Sequence, residues 1–298
     1  MATPTPKPAL FQPIQIGDVQ LRHRVVLAPS TRFRSSEAGV PSPIMAEYYA
    51  QRASVPGTLL IAEPAFIAQK AGGYKHLPGI WDEEHIRAWK QITDAVHAKG
   101  SFVFLQIWAL GRCAYVEHLA PGDPFVSSLA KVLTTPIHRS GPPRPPDVPR
   151  AMTVPEIREY AQLFGEVAAN AVKAGFDGVE QLRERHPDLA YLHVIEDPSV
   201  GAGGHDFIRE IWGPRPLISA GGYSDDRESG FRAVEEKGDL IAYSRAFIAN
   251  PDLPCRLLHD IPLTKGDGSK YYTYGSTDPA GYTDYAFHFA SLKREVTV

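Results

Sequence analysis

The chain has 298 residues, a formal net charge of −3, 43% hydrophobic residues and 22% charged residues. That length suits one large domain or two small ones, and the composition is ordinary for a soluble globular protein. The charge balance excludes the clustered basic surface of a nucleic-acid binder. Two cysteines exclude a disulfide framework, and no CxxC or His/Cys cluster points to a metal. The opening MATPTPKPALFQPIQIGD lacks the apolar core of a signal peptide, and no apolar run reaches membrane-spanning length. The expectation is a soluble, cytoplasmic protein without a metal.

In chain order, RVVLAPS (Arg24–Ser30), GTLLIAEP (Gly57–Pro64) and SFVFLQIW (Ser101–Trp108) read as buried strands, because short apolar runs end in polar, Pro or Gly residues. Between them, PIMAEYYAQRAS reads as one helix and DEEHIRAWKQITDAVHAKG as another. The second places Ile86, Trp89, Ile92 and Val96 on one face, with acids in its first turn and Lys99-Gly100 at its end. The stretch 111–150 is Pro-rich and predicts a long surface loop. A further helix starts at Thr153, a capping residue, with Pro155 in its first turn and Gly175 as its stop. LAYLHVI, PLISAGG and DLIAYS read as strands, and DDRESGFRAVEEKG as the helix between the last two. The tail from Leu263 reads as irregular.

Repeated strand–helix units with wholly apolar strands predict a parallel sheet covered by helices, in a single domain over 1–298. Seven strands are present if DGVE counts as one, whereas a closed (β/α)8 barrel needs eight. The doubly wound alternative lacks a GxGxxG loop after its first strand.

Several segments in one order carry a resemblance. LFQPIQIGDVQLRHRVVLAPSTRFRS, AGGYKHLPGIWDEEHIRAWKQITDAVHAKGSFVFLQIWALGR, AGFDGVE, ISAGGY and DLIAYSRAFIANPDLPCRL resemble the old yellow enzyme family, with the match running from about Leu10 to Tyr285 and one gap. The resemblance is strongest to fungal members, some of which serve secondary-metabolite pathways. It implies a (β/α)8 barrel of TIM type, FMN and NADPH as cofactors, a small-molecule substrate and ene-reductase activity. It implies that Pro29, Ser30 and Thr31 line the flavin ring, that Gln106 binds its pyrimidine edge, and that Trp108 and Tyr272 shape the substrate pocket. Tyr271 pairs with Tyr272 in this reading. Gly221, Gly222, Ser244 and Arg245 would form the phosphate site, the glycines by close backbone approach and Arg245 by charge-assisted bonds. Taken singly, each of these residues has an ordinary packing or turn role; the ordered set is what points to a ligand site.

The chain also departs from the family. After Glu180 the family's segment with its paired His/Asn clamp, its Tyr acid and a further strand bearing a flavin-contacting Arg is absent, and the chain passes directly to QLRERHPDLAYLHVIE. No HxxH or HxxN substitutes, so no catalytic residue carries over. The barrel is therefore expected to be incomplete around strand five, with open edges that favour self-association. Pro64 stands where the family has a Gly whose N–H serves the flavin, and proline has no N–H. Ser244 replaces another typical Gly. Candidate replacement acids are Tyr74, Tyr272 and His186, whereas His193, on a strand, reads as a core histidine. Two other readings stand beside an active reductase: a degenerate homologue that binds flavin or phosphate without turnover, and a misassembled reading frame. The abrupt junction between matching flanks is what a clean excision leaves.

Overall fold

The fold is described from a computed structural model, over residues 7–131, 147–180, 189–196 and 206–288. Gln15 to Gln20 form a tight hairpin of β1 (Ile14–Ile16) and β2 (Val19–Leu21), turning at Gly17 with φ +53°. The Gly-Asp step between alternating residues was the signal for this hairpin, which the strand expectations omit. Its Ile16, Val19 and Leu21 are buried against the inner face of the main sheet.

The main sheet contains β3 (Val25–Leu27), β4 (Leu59–Phe66), β5 (Phe102–Trp108), β8 (Gly178–Glu180), β9 (Leu192–Ile195), β10 (Leu217–Ala220) and β11 (Leu240–Tyr243). The remaining strands, β6 (Val126–Ser127) and β7 (Arg150–Ala151), make a small parallel pair. The seven strands run in the order β8-β5-β4-β3-β11-β10-β9, all neighbours parallel. Alternation divides the apolar residues. Val26, Leu59, Ile61, Phe104, Ile218, Ala220, Leu240 and Ala242 pack together on the inner face. Val25, Leu27, Leu60, Val103, Leu105 and Ile241 meet the helices outside. A curled parallel sheet with its own inner core and an outer helical layer is an incomplete (β/α)8 barrel. No backbone ladder joins its edge strands, β8 and β9, among the described residues.

The helices follow the local signals. α1 covers Pro43–Arg52 and α2 covers Glu83–His97, where the Asp82 side chain accepts from the N–H groups of Glu84 and His85. Ile86, Trp89, Ile92 and Val96 are buried, and Trp89 Nε1 donates to the Gly79 carbonyl at 2.9 Å. α3 (Val154–Lys173) begins with a reciprocal Thr153–Glu156 capping box. Of its residues only Val167 and Ala171 are fully buried, while Val172 is 68% exposed. α4 (Asp206–Trp212), which the sequence expectations did not contain, exposes Phe207 and Ile211, and Ile195 of β9 is 77% exposed. These apolar residues belong to elements adjoining the two sheet edges, where a strand–helix unit is missing. α5 (Arg227–Lys237), α6 (Arg245–Ala249) and α7 (Leu253–Leu258) complete the order.

Three further expectations are refined. The strand read at Arg24–Ser30 is limited to Val25–Leu27, because Pro29 ends its ladder. The stretch 111–150 holds short 3₁₀ turns at Gly111–Cys113 and Val116–His118 beside β6 and β7; its residues 132–146 lie outside those described. Pro64 sits where the β4–β5 register shifts between Ala62 and Ala65, a bulge in which a missing N–H breaks no ladder bond.

The irregular tail is held by buried arginines. Arg32 Nε donates to the Tyr271 carbonyl at 2.9 Å and Nη2 to Gly281 at 2.8 Å. Arg34 Nη1 donates to Ser276 and Asp278, and Arg52 Nη2 to Ile248 and Tyr282. The guanidinium groups thus replace sheet or helix partners for tail carbonyls and fix where Tyr272 stands. Between Arg32 and Tyr49 lies Glu63, fully buried; it accepts from the Arg32 backbone N–H at 3.1 Å. Burial raises its carboxyl from 4.5 to about 7, against the opposing pull of that bond and of the arginine charges. The folded chain therefore keeps a proton that the unfolded chain releases across this interval. Stability from this group is present at the acid end and falls as pH rises from about 4.5 to about 7. Replacing Glu63 by Gln is expected to flatten that decline, read as the change in urea midpoint between about pH 5 and pH 7.

Candidate active site

At the carboxyl ends of the strands and along the β8/β9 gap lies a cavity of about 1160 Å³. Parallel strands end on the same side, so residues distant in sequence meet there: Pro29 and Ser30 after β3, Gln106 and Trp108 on β5, Glu180 on β8, and Gly221, Gly222, Ser244 and Arg245 after β10 and β11. Tyr272, brought by the tail, also lines it. Thr31 is half-buried and outside this lining, because the chain turns away after Ser30. Tyr74 is likewise outside; it packs edge-on against Tyr115 at 4.8 Å between ring centroids. His186 lies outside the described residues.

One end of the cavity suits an anion. Gly221 has φ +110° and Gly222 φ +77°, conformations that L side chains rarely adopt. A Cβ at Gly221 would stand 2.5 Å from the Glu196 carbonyl oxygen, so only glycine lets the backbone pass there. Arg245 is exposed beside it and brings the cation. Ser244 does not project freely towards this end: its hydroxyl is 2.6 Å from that of Ser30, tying the end of β11 to the end of β3. Tyr223 donates to Glu196 Oε2 at 3.1 Å; burial first, then the Glu196 charge, raises its phenol above the usual value.

The opposite wall is where the two edge strands face each other. Gln106 Nε2 donates to Glu180 Oε1 at 2.5 Å, and Tyr191 Oη donates to Oε2 at 2.8 Å. His193 Nδ1 lies 3.0 Å from the same Oε2. A carboxylate only accepts, so this ring nitrogen carries the hydrogen. Burial pushes the Glu180 carboxyl up, but the His193, Tyr191 and Gln106 bonds outweigh it and hold the group below its ordinary value. Burial, reinforced by the Glu180 charge, raises the Tyr191 phenol well above the usual range. His193 sits largely buried on β9 opposite Ile218, borders the cavity and caps a carboxylate from the facing edge. Its Nε2 is buried and without a partner among the described residues. A buried polar atom left so costs about 1–3 kcal/mol. Trp108 stacks on Phe66 at 5.8 Å, with its Nε1 also buried and unmatched among the described residues. Glu180, Tyr191 and Glu196 were missed in the sequence; GVE and YLHVIE held them, but nothing in their spacing brings two edge strands together.

The glycines and arginine at one end of the cavity are groups that could hold the phosphate of a cofactor. The family model described as "NADH:flavin oxidoreductase / NADH oxidase family" matches residues 9–183 and 181–264. The chain belongs to this family, the old yellow enzyme family. The match divides at 181–183, the position of the missing unit. A relative from Aspergillus flavus, "NADP-dependent oxidoreductase lnbE", is 36% identical over 373 residues, covering 93% of this chain and 96% of its own. That alignment is longer than this chain's 298 residues, so the relative holds sequence opposite a gap here. "Probable inactive reductase easA" of Epichloe festucae var. lolii is 33% identical over 374 residues, covering 93% of this chain and 95% of its own. A solved structure of a morphinone reductase point mutant in complex with tetrahydroNAD superimposes with a TM-score of 0.81 at 26% identity, covering 96% of this chain and 100% of that one.

The residues present fit a flavin mononucleotide at the anion end, where the cradle needs glycine and supplies a cation. Gly221→Ala is expected to cost about 1–3 kcal/mol through the strained backbone and the clash with Glu196, and to weaken FMN binding. Thermal midpoint and flavin titration read the two effects.

Proposed function

We propose that this chain is an FMN-dependent reductase that oxidises NADPH and reduces an activated alkene, in fungal secondary metabolism. The observation that carries this reading is the meeting, in one cavity, of Gly221, Gly222 and Arg245, with Ser30 beside them, and Gln106 from the opposite wall. Arg245 would hold the phosphate by charge-assisted bonds, with the two glycines giving backbone approach. Pro29 and Ser30 would support the ring, and Gln106 would offer its amide oxygen, since its Nε2 is engaged with Glu180. Trp108 and Tyr272 would bound the substrate side. When bound, the flavin supplies hydride chemistry; the chain supplies position, charge and exclusion of water.

A second reading, a relative that binds flavin without turnover, is favoured by two observations. Pro64 cannot donate at the flavin edge, a loss of about 0.5–1.5 kcal/mol, and the clamp after Glu180 is absent from the chain. The division of the family match at 181–183 supports a third, an excised segment of a longer enzyme.

Purified protein mixed with FMN is expected to retain a yellow band near about 450 nm that NADPH bleaches without oxygen. Arg245→Ala is expected to weaken FMN binding roughly 10–100-fold. A colourless protein rejects the flavoenzyme reading; a yellow protein that NADPH leaves unbleached selects the non-catalytic one. A transcript with extra codons between Glu180 and Gln181 selects the excised segment.

A further inference from the structure

Residues 32–34 grip the tail by three routes at once. Arg32 Nε donates to the Tyr271 carbonyl at 2.9 Å, and Arg34 Nη1 donates to those of Ser276 at 2.9 Å and Asp278 at 2.6 Å. Between them the Phe33 carbonyl accepts from the Gly275 N–H at 2.8 Å. Phe33 itself stands at φ +57°, a left-handed conformation that a bulky residue rarely adopts, with its side chain fully buried. Such a backbone persists only where its surroundings over-determine it. Here those surroundings include the tyrosines of the cavity mouth. The Phe33 ring lies 4.2 Å from that of Tyr274 and meets Tyr272 edge-on, at 6.1 Å between centroids and 76° between planes. Tyr272 lines the cavity and is 48% exposed. Trp108 also lines it and stacks on Phe66 at 5.8 Å and 12°. Phe33 and Phe66 belong to one buried cluster with Leu77 and Leu110. Two aromatic residues bordering the cavity are thus each backed by a buried phenylalanine from a single cluster. A ring already held by packing loses little freedom when a second ring settles on it.

We infer that the cavity selects a substrate carrying a planar aromatic ring, that this ring packs on Tyr272, and that Phe33 is the positioning residue that fixes Tyr272 for it. The inference rests on the proposed reductase function, to which it adds the class of alkene: one conjugated to an aryl group. Apolar burial alone does not make this choice, since a saturated ring of the same size buries at least as much apolar area. The choice comes from the aromatic faces, which favour offset or edge-on contact with another aromatic ring.

The test uses the FMN-loaded full chain, oxidised and without NADPH, so that binding is read apart from turnover. The probes are benzylideneacetone and its cyclohexyl analogue, in which the ring is saturated; calorimetry gives Kd for each. The wild type is expected to prefer the phenyl probe by about threefold to tenfold, the range of one aromatic pair. Tyr272→Leu is expected to abolish the preference. Phe33→Leu, which removes the ring and keeps an apolar side chain, is expected to abolish it too, while affinity for the cyclohexyl probe holds. The double variant is expected to lose no more than either single one, because Phe33 acts through Tyr272. With NADPH added, the Phe33→Leu loss on the phenyl probe is expected in KM more than in kcat. Equal wild-type affinity for the two probes overturns the inference, as does a preference that survives either substitution. Additive losses in the double variant overturn it as well, since they leave Phe33 a packing role only. A wild type that shows the preference but is not bleached by NADPH leaves the ring site standing and rejects the reductase reading. Failure to take up FMN rejects both. Should Phe33→Leu not fold, Phe33→Met takes its place, and the comparison of wild type with Tyr272→Leu decides.

Discussion

The Glu180 carboxylate is the interaction on which the rest of the barrel depends. Removing a strand–helix unit from a parallel barrel exposes two edges whose N–H and C=O groups lose their neighbours. In this chain the facing edges are joined by one carboxylate accepting from Gln106, Tyr191 and His193. Side-chain closure is less regular than a ladder, and it leaves a polar wall inside the cavity where a full barrel would carry another strand.

The two halves of the site have fared differently. The anion end depends on local backbone: Gly221 and Gly222 in left-handed conformations, and Arg245 directly after β11. None of these touches the missing unit, and they keep a coherent geometry. The opposite wall is lined by Gln106, Trp108, Glu180, Tyr191 and His193. Tyr272 is positioned by a tail whose carbonyls Arg32, Arg34 and Arg52 hold, and which from Leu263 to His288 forms only a short 3₁₀ turn at Gly268–Lys270. The cost of the deletion is visible elsewhere, in the uncovered Val172, Ile195, Phe207 and Ile211.

Much of the fold was legible because each strand and helix carries its own signal. The apolar stripe of Ile86, Trp89, Ile92 and Val96 and the Thr153–Glu156 box both formed as their spacing required. The hairpin at Ile14–Leu21 was readable from its Gly-Asp turn and was overlooked, as was α4. The anion cradle was legible through its glycines and arginine. The polar wall was not, since Glu180 and His193 look like an edge residue and a core histidine until both strands are placed.

By itself the sequence determined the family, the parallel strand–helix order, the break after Glu180 and the loss of the N–H at Pro64, because these are properties of residue type and order along the chain. Only the tertiary structure decided how the break is closed, that Pro64 falls in a bulge, that Thr31 leaves the cavity and that His193 enters it. The physical reason is that each depends on curvature and register of the sheet. Those are collective results of packing on both faces, and no single segment encodes them.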